Sequence, residues 1–301
     1  LDALTYAGSL ENLKHLPDPG RHTFIHGDVC DRELVSGLFS DYRIDTVIHF
    51  AAESHVDRSI LDPEPFIQTN VVGTYILLEA ARRAWLVDEA LPLGQVRFHH
   101  ISTDEVFGSL GPDEPAFKET TNYAPNSPYA ASKAASDHLV RAYHHTFQLP
   151  VTISNCSNNY GPYQFPEKLI PLMILNALQG MPLPVYGDGK QIRDVLYIDD
   201  LLNAYDAAIA HIDQVTGQVF NVGGGATNTL SIWAEFGPLL ADLFGHEIPV
   251  KRADWRPGDQ KVYISDIHKA QAELGWQPQV DVKTGVSRLY AWVAANQHLF
   301  D

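Results

Sequence analysis

Asp45-Thr-Val-Ile-His-Phe50, followed directly by Ala51-Ala-Glu-Ser-His55, is the stretch that decides the fold. A short apolar run of this kind suits a strand buried on both faces, as in a parallel sheet. The small residues after it would let a flat ligand pass close to the backbone, although plain helix–sheet packing would use them equally well. Working outward, Pro65–Trp85 is long and amphipathic and predicts a helix. Val96–Ser102 predicts a second strand, Tyr129–Phe147 a helix and Val151–Asn155 a third strand. Upstream, His22–His26 predicts a strand ending in Gly27-Asp28, and Glu33–Tyr42 a helix. Strands alternating with helices give an α/β fold, a parallel sheet with helices on both faces. Beyond residue 160 the pattern loosens. Pro and Gly cluster at Tyr160–Pro166, Pro182–Gly189 and Arg256–Gly258. Loops of that kind over a rigid sheet are where ligand contacts concentrate.

The chain has 301 residues, which suits two domains or one large α/β domain. Acids outnumber bases 37 to 21, a formal charge of −16. Nucleic acid and anionic membranes need a basic face, so neither is expected as a partner. A small anionic ligand held by a few local cations stays open. No apolar run reaches the roughly 18 residues of a membrane span, and no basic-then-apolar leader is evident. Two cysteines, Cys30 and Cys156, exclude a disulfide framework and suit the cytoplasm. The 14 histidines show no metal-binding spacing, so no metal site is expected.

A doubly wound nucleotide fold opens with a strand, a glycine-rich turn and a helix. This chain opens at Leu1-Asp2, which reads as the end of the second strand. Gly223-Gly224-Gly225 lacks the fingerprint spacing and reads as a loop, with flexible ligand contact as the sharper alternative. The expectation is a Rossmann-type sheet whose first strand and glycine turn are missing from this sequence. Without that turn a bound dinucleotide loses an anion site, and neighbouring strand edges lose a partner. Either the natural protein is longer, or its hold on a cofactor is compromised.

Three motifs carry chemistry. In Ser127-Pro128-Tyr129-Ala-Ala-Ser-Lys133, Ser127 is a good N-cap and Pro128 a good first helical residue. Tyr129 and Lys133 then share a helix face. An ammonium beside a phenol lowers its pKa and makes it a base for a hydroxyl proton during hydride loss. The plain alternative is a surface Tyr and Lys. Ile101-Ser-Thr103-Asp104-Glu105 follows a strand directly, at the end where open α/β sheets bind ligands. Two adjacent carboxylates divide into acid and base when their environments push their pKa values apart; a solvated strand-end turn would look the same. Phe50–His55 follows the strand at Asp45 in the same way, and His55 alone reads as a satisfied polar residue.

Together these motifs resemble a known family. Residues 51–59 (Ala-Ala-Glu-Ser-His-Val-Asp-Arg-Ser), 102–108 (Ser-Thr-Asp-Glu-Val-Phe-Gly), 129–133 and 155–162 (Asn-Cys-Ser-Asn-Asn-Tyr-Gly-Pro) come in this order. Phe165–Pro171, Gln191–Asp194 and Arg256–Gly258 continue it. The chain resembles, over essentially its whole length, the dTDP-glucose 4,6-dehydratases of the extended short-chain dehydrogenase/reductase family. The Thr-Asp-Glu trio is the most discriminating element, because related sugar epimerases share the Tyr and Lys but lack the acid pair. The resemblance implies an NAD-binding Rossmann-type domain from residues 1–160 and 195–224. A smaller sugar-nucleotide lobe would come from 161–194 and 225–301. It implies cofactor contacts from Asp2, Thr5, Asp28, Val29, Ala51, Ala52, Ser54, Thr69, Tyr129, Lys133 and Asn159. Thr103, Asp104, Glu105, Tyr129 and Lys133 would be catalytic. Ser54, Thr103, Asn158, Lys168, Leu169, Pro184, Tyr186, Arg193, Asn228 and Arg256 would hold substrate. Lys168, Arg193 and Arg256 would supply the local positive charge that a diphosphate needs.

The implied reaction oxidises carbon four of the sugar, removes water across carbons five and six, and returns the hydride from tightly held NAD. It would serve deoxysugar biosynthesis. A homodimer through Pro65–Trp85 and Tyr129–Phe147 is also implied. One departure bears on the nucleotide. Asp259, Gln260 and Lys261 stand where the family usually carries His, Asp and Arg, which touches the preference for dTDP. Two other readings stay open at this point: an NAD-dependent nucleotide-sugar epimerase or decarboxylase on the same scaffold, and a truncated protein that binds without turnover.

Overall fold

The strands, in chain order, are β1 (Thr46–His49), β2 (Arg97–Thr103), β3 (Val151–Cys156), β4 (Asn158–Tyr160) and β5 (Leu183–Tyr186). They continue with β6 (Ile192–Tyr197), β7 (Val219–Val222), β8 (Thr229–Ser231), β9 (Val250–Ala253) and β10 (Val262–Tyr263). These come from a computed structural model that describes residues 1–111, 114–255 and 261–300. The chain divides into two compact units. One is Leu1–Val106, Tyr123–Asn155 and Ala207–Phe220; the other is Phe107–Asn122, Cys156–Asp206 and Asn221–Asp301.

One sheet runs β1-β2-β3-β7. β1 and β2 are parallel, in register from Thr46 opposite Arg97 to His49 opposite His100. All six residues of β3 are buried, as are five of the seven of β2. Burial on both faces is what a strand inside a parallel sheet shows, whereas Ile48 of β1 stays exposed. The first unit's core joins Val35 and Phe39 of helix Arg32–Tyr42 to Leu78, Trp85, Phe98, Val140, Leu149 and Ile153. Trp85 also donates its indole N–H to the Ile44 carbonyl at 2.8 Å, so its polar edge is satisfied inside the core.

Two expectations need correction here. The stretch expected as one helix over Pro65–Trp85 is α-helical at Glu64–Phe66 and Thr74–Arg82 but π-helical at Ile67–Gly73 and Arg83–Val87. Packing and polar side chains drive the first widening. The Asn70 carbonyl accepts the Thr74 hydroxyl at 2.6 Å. Gly73 lies so close to Val29 that an added Cβ would sit 2.7 Å from Val29 Cγ2. His22–His26 does not form a strand; it contributes a single parallel bridge, His26 to Asp2. Among the described residues only Asp2 pairs with it, through Asp2 N–H to Ile25 O at 3.1 Å and Gly27 N–H to Asp2 O at 3.0 Å.

In the second unit β6 is flanked by β4 and β10, both parallel, and β8 pairs with it antiparallel. β5 and β9 form a separate parallel pair. Helices Leu169–Leu178 and Val282–Ala295 bury Met173, Ile174, Val286 and Leu289 in a core with Tyr160, Val195 and Phe236. Of the segment 195–224, only Val219–Val222 joins the first sheet. The glycine run at 223–225 is packed: the Gly225 N–H donates to the buried Asp194 carboxylate at 3.1 Å. A Cβ on Gly223 would meet Ser265, Asp194 and Ser157 within 2.8 Å. No described helix is long and apolar enough to cross a membrane.

Candidate active site

The helix Pro128–Phe147 starts where its sequence says it should. The Ser127 hydroxyl accepts the Ala130 N–H at 3.1 Å, and Pro128 needs no donor partner there. Its buried face carries Tyr129, Ser132, Lys133, Ser136 and Asp137. Lys133 is only 4% exposed, and its ammonium donates to the Ile101 carbonyl at 2.6 Å. That bond ties the helix to β2 two residues before Thr103.

The acid pair follows β2 directly, opening the 3-10 turn Asp104–Phe107. Thr103 and Asp104 are buried and Glu105 is half-buried. The Thr103 hydroxyl donates to Asp104 Oδ1 at 3.0 Å and accepts the Glu105 N–H at 3.3 Å. One hydroxyl therefore links the acid side chain to the backbone of the next residue. Thr103, Asp104, Glu105, Tyr129 and Lys133 all belong to the first unit.

The loop after β1 is held from behind. Asn70 Oδ1 accepts the Glu53 N–H, and its Nδ2 donates to the Glu53 carbonyl, both at 2.9 Å. The same Nδ2 reaches Ser132 Oγ at 2.8 Å, and Ser132 donates to the Tyr129 carbonyl at 2.7 Å. Ala51, Ala52 and Ser54 thus sit on a loop connected through Asn70 to the turn that carries Tyr129. His55 caps helix Val56–Leu61, its Nδ1 facing the Arg58 N–H at 3.5 Å. Thr69 lies half-buried on the π-helical turn beside Asn70.

Asp2, Thr5 and Asp28 are exposed, with Val29 buried beside Asp28. Asp2 accepts the Leu4 N–H at 2.7 Å, and Asp28 the Cys30 N–H at 2.8 Å. Asn158, Asn159, Lys168, Leu169, Pro184, Tyr186, Arg193 and Asn228 lie in the second unit. Arg193 and Asn158 are on neighbouring strands of one sheet, with Asn158 opposite Val195. Asn228 closes the other side of β6, its carbonyl accepting the Val195 N–H at 2.9 Å. Lys168 caps helix Leu169–Leu178, its ammonium 3.8 Å from Glu167. Pro184 and Tyr186 are on β5. Arg256 falls outside the described residues.

Sequence reasoning missed a buried polar cluster next to these groups. His99 Nδ1 is 2.7 Å from Thr152 Oγ1, and its Nε2 is 3.1 Å from Ser154 Oγ. His49 Nε2 is 2.9 Å from Thr74 Oγ1, and its ring lies 5.2 Å from that of His100. Burial pulls the His99 imidazole down to about 3. Burial first, then the Lys133 ammonium and the neighbouring imidazoles, hold His49 and His100 well below the usual histidine range. All three stay neutral at neutral pH. Burial pushes the Asp137 carboxyl up to about 6, against the opposing pull of Lys133, Ser102 and Tyr123. The signal was in plain view: two consecutive histidines between Phe98 and Ile101 of a buried strand, and an Asn among the apolar residues of a helical stretch. No group of three or more His, Cys, Asp or Glu among the described residues is placed to hold a metal ion.

A family model described as GDP-mannose 4,6 dehydratase matches residues 1–289. The dTDP-glucose 4,6-dehydratase of Xanthomonas campestris pv. campestris is 50% identical over 307 residues, spanning 99% of this chain and 86% of that protein. The chain belongs to the dTDP-glucose 4,6-dehydratase family. A family member from Shigella flexneri is 48% identical over 310 residues, spanning 98% of this chain and 85% of its own. DesIV, the dTDP-glucose 4,6-dehydratase of Streptomyces venezuelae, was solved with NAD and TYD bound. It superposes with a TM-score of 0.89 at 41% identity, covering 100% of this chain and 88% of that one.

Proposed function

We propose that this protein converts dTDP-glucose to dTDP-4-keto-6-deoxyglucose and water, with NAD as cofactor, as a step of deoxysugar biosynthesis. One observation carries the reading. Thr103 ends β2 two residues beyond the carbonyl that fixes Lys133, and Asp104 and Glu105 follow directly, so an acid pair and a redox pair are tied to one strand and one helix. An epimerase needs only the second pair.

The residues present suit NAD. Asp2 and Asp28 offer exposed carboxylates to the hydroxyl and amino donors of an adenosine, and Val29 an apolar surface. Ala51 and Ala52 would give NAD a low wall, Ser54, Thr69 and Asn159 neutral polar groups, and Tyr129 and Lys133 would serve its reacting end. When bound, NAD supplies reversible hydride storage between carbon four and carbon six of one sugar.

Tyr129 takes the proton of the 4-hydroxyl, and the Lys133 ammonium stabilises the phenolate that does so. Once carbon four is a ketone, the hydrogen on carbon five is acidic enough for Glu105 to remove. Asp104, protonated, gives its proton to the departing 6-hydroxyl, and Glu105 later returns its own to carbon five. Each such transfer is worth roughly 10²–10⁴ in rate. The proton balance then leaves one extra proton on Tyr129 and one missing from Asp104. The Thr103 hydroxyl, already bonded to Asp104 Oδ1, would relay that proton and restore the resting state.

Ser54 and Thr103 orient the sugar. Lys168, Arg193 and Arg256 neutralise the diphosphate, and Asn158, Leu169, Pro184, Tyr186 and Asn228 complete the nucleotide contacts. Exposed Leu61, Ile67, Val87 and Phe147 on the helices of the first unit support a homodimer, working in the cytoplasm. Light scattering of the purified protein checks the dimer.

Incubation with NAD⁺ and dTDP-glucose, followed by mass spectrometry, tests the activity. A product lighter by one water is expected; a product of unchanged mass sinks the dehydratase reading. Glu105→Gln is expected to stop water loss while bound NAD⁺ is still slowly reduced by substrate. Dehydration at the wild-type rate removes Glu105 from its role.

A further inference from the structure

Behind Tyr129 and Lys133 lies a set of titratable side chains that the chemistry above does not use. Asp137 follows Lys133 by one helical turn and is fully buried. Its Oδ2 accepts the Ser102 hydroxyl at 2.7 Å and the Tyr123 hydroxyl at 2.9 Å. Its Oδ1 lies 3.3 Å from His100 Nε2. The Ile101 carbonyl, between those two β2 residues, accepts the Lys133 ammonium. One helix face therefore grips two consecutive residues of β2, Lys133 at the Ile101 carbonyl and Asp137 at the Ser102 hydroxyl, with His100 lying beside Asp137. Thr103 comes next.

An ammonium as buried as that of Lys133 is costly unless a negative charge stands near it. The neighbouring imidazoles cannot provide one: an imidazole is neutral or positive, and His49 and His100 are held neutral. Asp137 can, and it sits at the i+4 position where helical side chains meet. We propose that Asp137 is a positioning residue for the oxidation step, holding Lys133 as an ammonium so that Lys133 in turn keeps Tyr129 ionisable. The idea rests on the dehydratase reading and extends its redox pair into a row of three, Tyr129, Lys133 and Asp137, along one face. The groups facing Asp137 are Lys133 and His138 on its own helix, His100 from β2 and Tyr123 from the segment before the helix. His99 of β2 and His49 of β1 lie behind His100, and Arg141 acts on the Tyr123 phenol. With its carboxyl pushed only to about 6, Asp137 is largely ionised at neutral pH.

Asp137→Asn keeps the shape and an acceptor for Ser102 and Tyr123 but removes the charge. The test is the pH profile of kcat for dehydration of dTDP-glucose by the NAD-loaded enzyme, with KM and the thermal midpoint measured alongside. The alkaline limb, where the ammonium is lost, is expected to move down by about one pH unit, close to tenfold in rate beyond the wild-type limb. KM should change little, and Asp137→Glu should restore part of the limb. A profile that superimposes on wild type overturns the proposal. So does a loss of kcat by the same factor at every pH, which is what a purely structural role produces. If the Asn variant does not fold, Asp137→Ser, which also removes the charge, gives the readout instead: a downward shift of the alkaline limb supports the proposal and an unmoved limb refutes it. A wild type that leaves dTDP-glucose intact counts against the dehydratase reading instead, so the two failures are distinct.

Discussion

His99 offers a measurement of how strongly burial controls this protein. Its ring sits between Thr152 and Ser154 with no exposed surface, and burial lowers its pKa from 6.5 to about 3. A group with a depressed folded-state pKa contributes stability that is present above its unfolded pKa and lost as pH falls through the folded one. Here the window runs from about 6.5 down to about 3. At about 1.4 kcal/mol per pKa unit, the stability lost as pH falls across the whole window is about 5 kcal/mol. Across the middle of the window the unfolded chain binds almost one proton more at this site, a slope of about 1.4 kcal/mol per pH unit. His99→Gln removes the titration and keeps an amide able to bond both hydroxyls. The opposing carboxylates Asp137 and Asp194, both raised to about 6, remain in the variant and cancel in the difference. Urea unfolding between pH 4 and 8 can be followed through fluorine NMR of 5-fluorotryptophan at Trp85, since the other four tryptophans belong to the second unit. The variant's stability curve should run parallel to wild type above pH 7 and be shallower by about 1.4 kcal/mol per pH unit between 6 and 4. Parallel curves throughout would refute the argument that burial alone sets this imidazole's charge.

Three further outcomes are expected. Thr103→Val should slow later turnovers more than the first, giving a burst of product in rapid-quench kinetics, while Thr103→Ser keeps the turnovers alike; equal slowing of all turnovers would remove the proton-return role. Asn70→Ala leaves the Glu53 backbone and Ser132 without their partner, and should lower the urea-derived stability of the first unit by about 2–3 kcal/mol, the range for stranded buried polar groups. Gly285→Ala would place a Cβ 2.2 Å from the Tyr160 hydroxyl, so the roughly 1 kcal/mol gain in helix propensity should be outweighed by overpacking of about 1–3 kcal/mol. A raised denaturation midpoint for Gly285→Ala would show that Tyr160 can yield.

Most of the first sheet was legible, with β2 and β3 buried on both faces although Ile48 of β1 stays exposed. Short runs built around Val47-Ile48, Phe98–Ile101 and Val151–Ile153 placed β1, β2 and β3 to within a residue or two, and Ser127-Pro128 marked the start of the helix carrying Tyr129. The π-helical turns were not legible, because they arise from what Asn70, Thr74 and Gly73 touch in three dimensions and not from periodicity. β5, β8 and β9 were hidden for a different reason. They are three or four residues long, lie amid Pro and Gly, and take their pairing from partners distant in sequence. For the candidate site, the motif residues were readable from the chain, but their support was not. His49, His99, His100 and Asp137 are polar residues on elements that hydrophobic patterning counts as core, and only the fold shows that they face one another.

Asn70 holds residue 53 by its backbone alone, N–H and carbonyl, much as one nucleobase edge reads another. Such a grip is blind to the side chain it carries. Position 53 can therefore change its chemistry over evolutionary time without disturbing the path of the loop, while the scaffold beneath keeps its form.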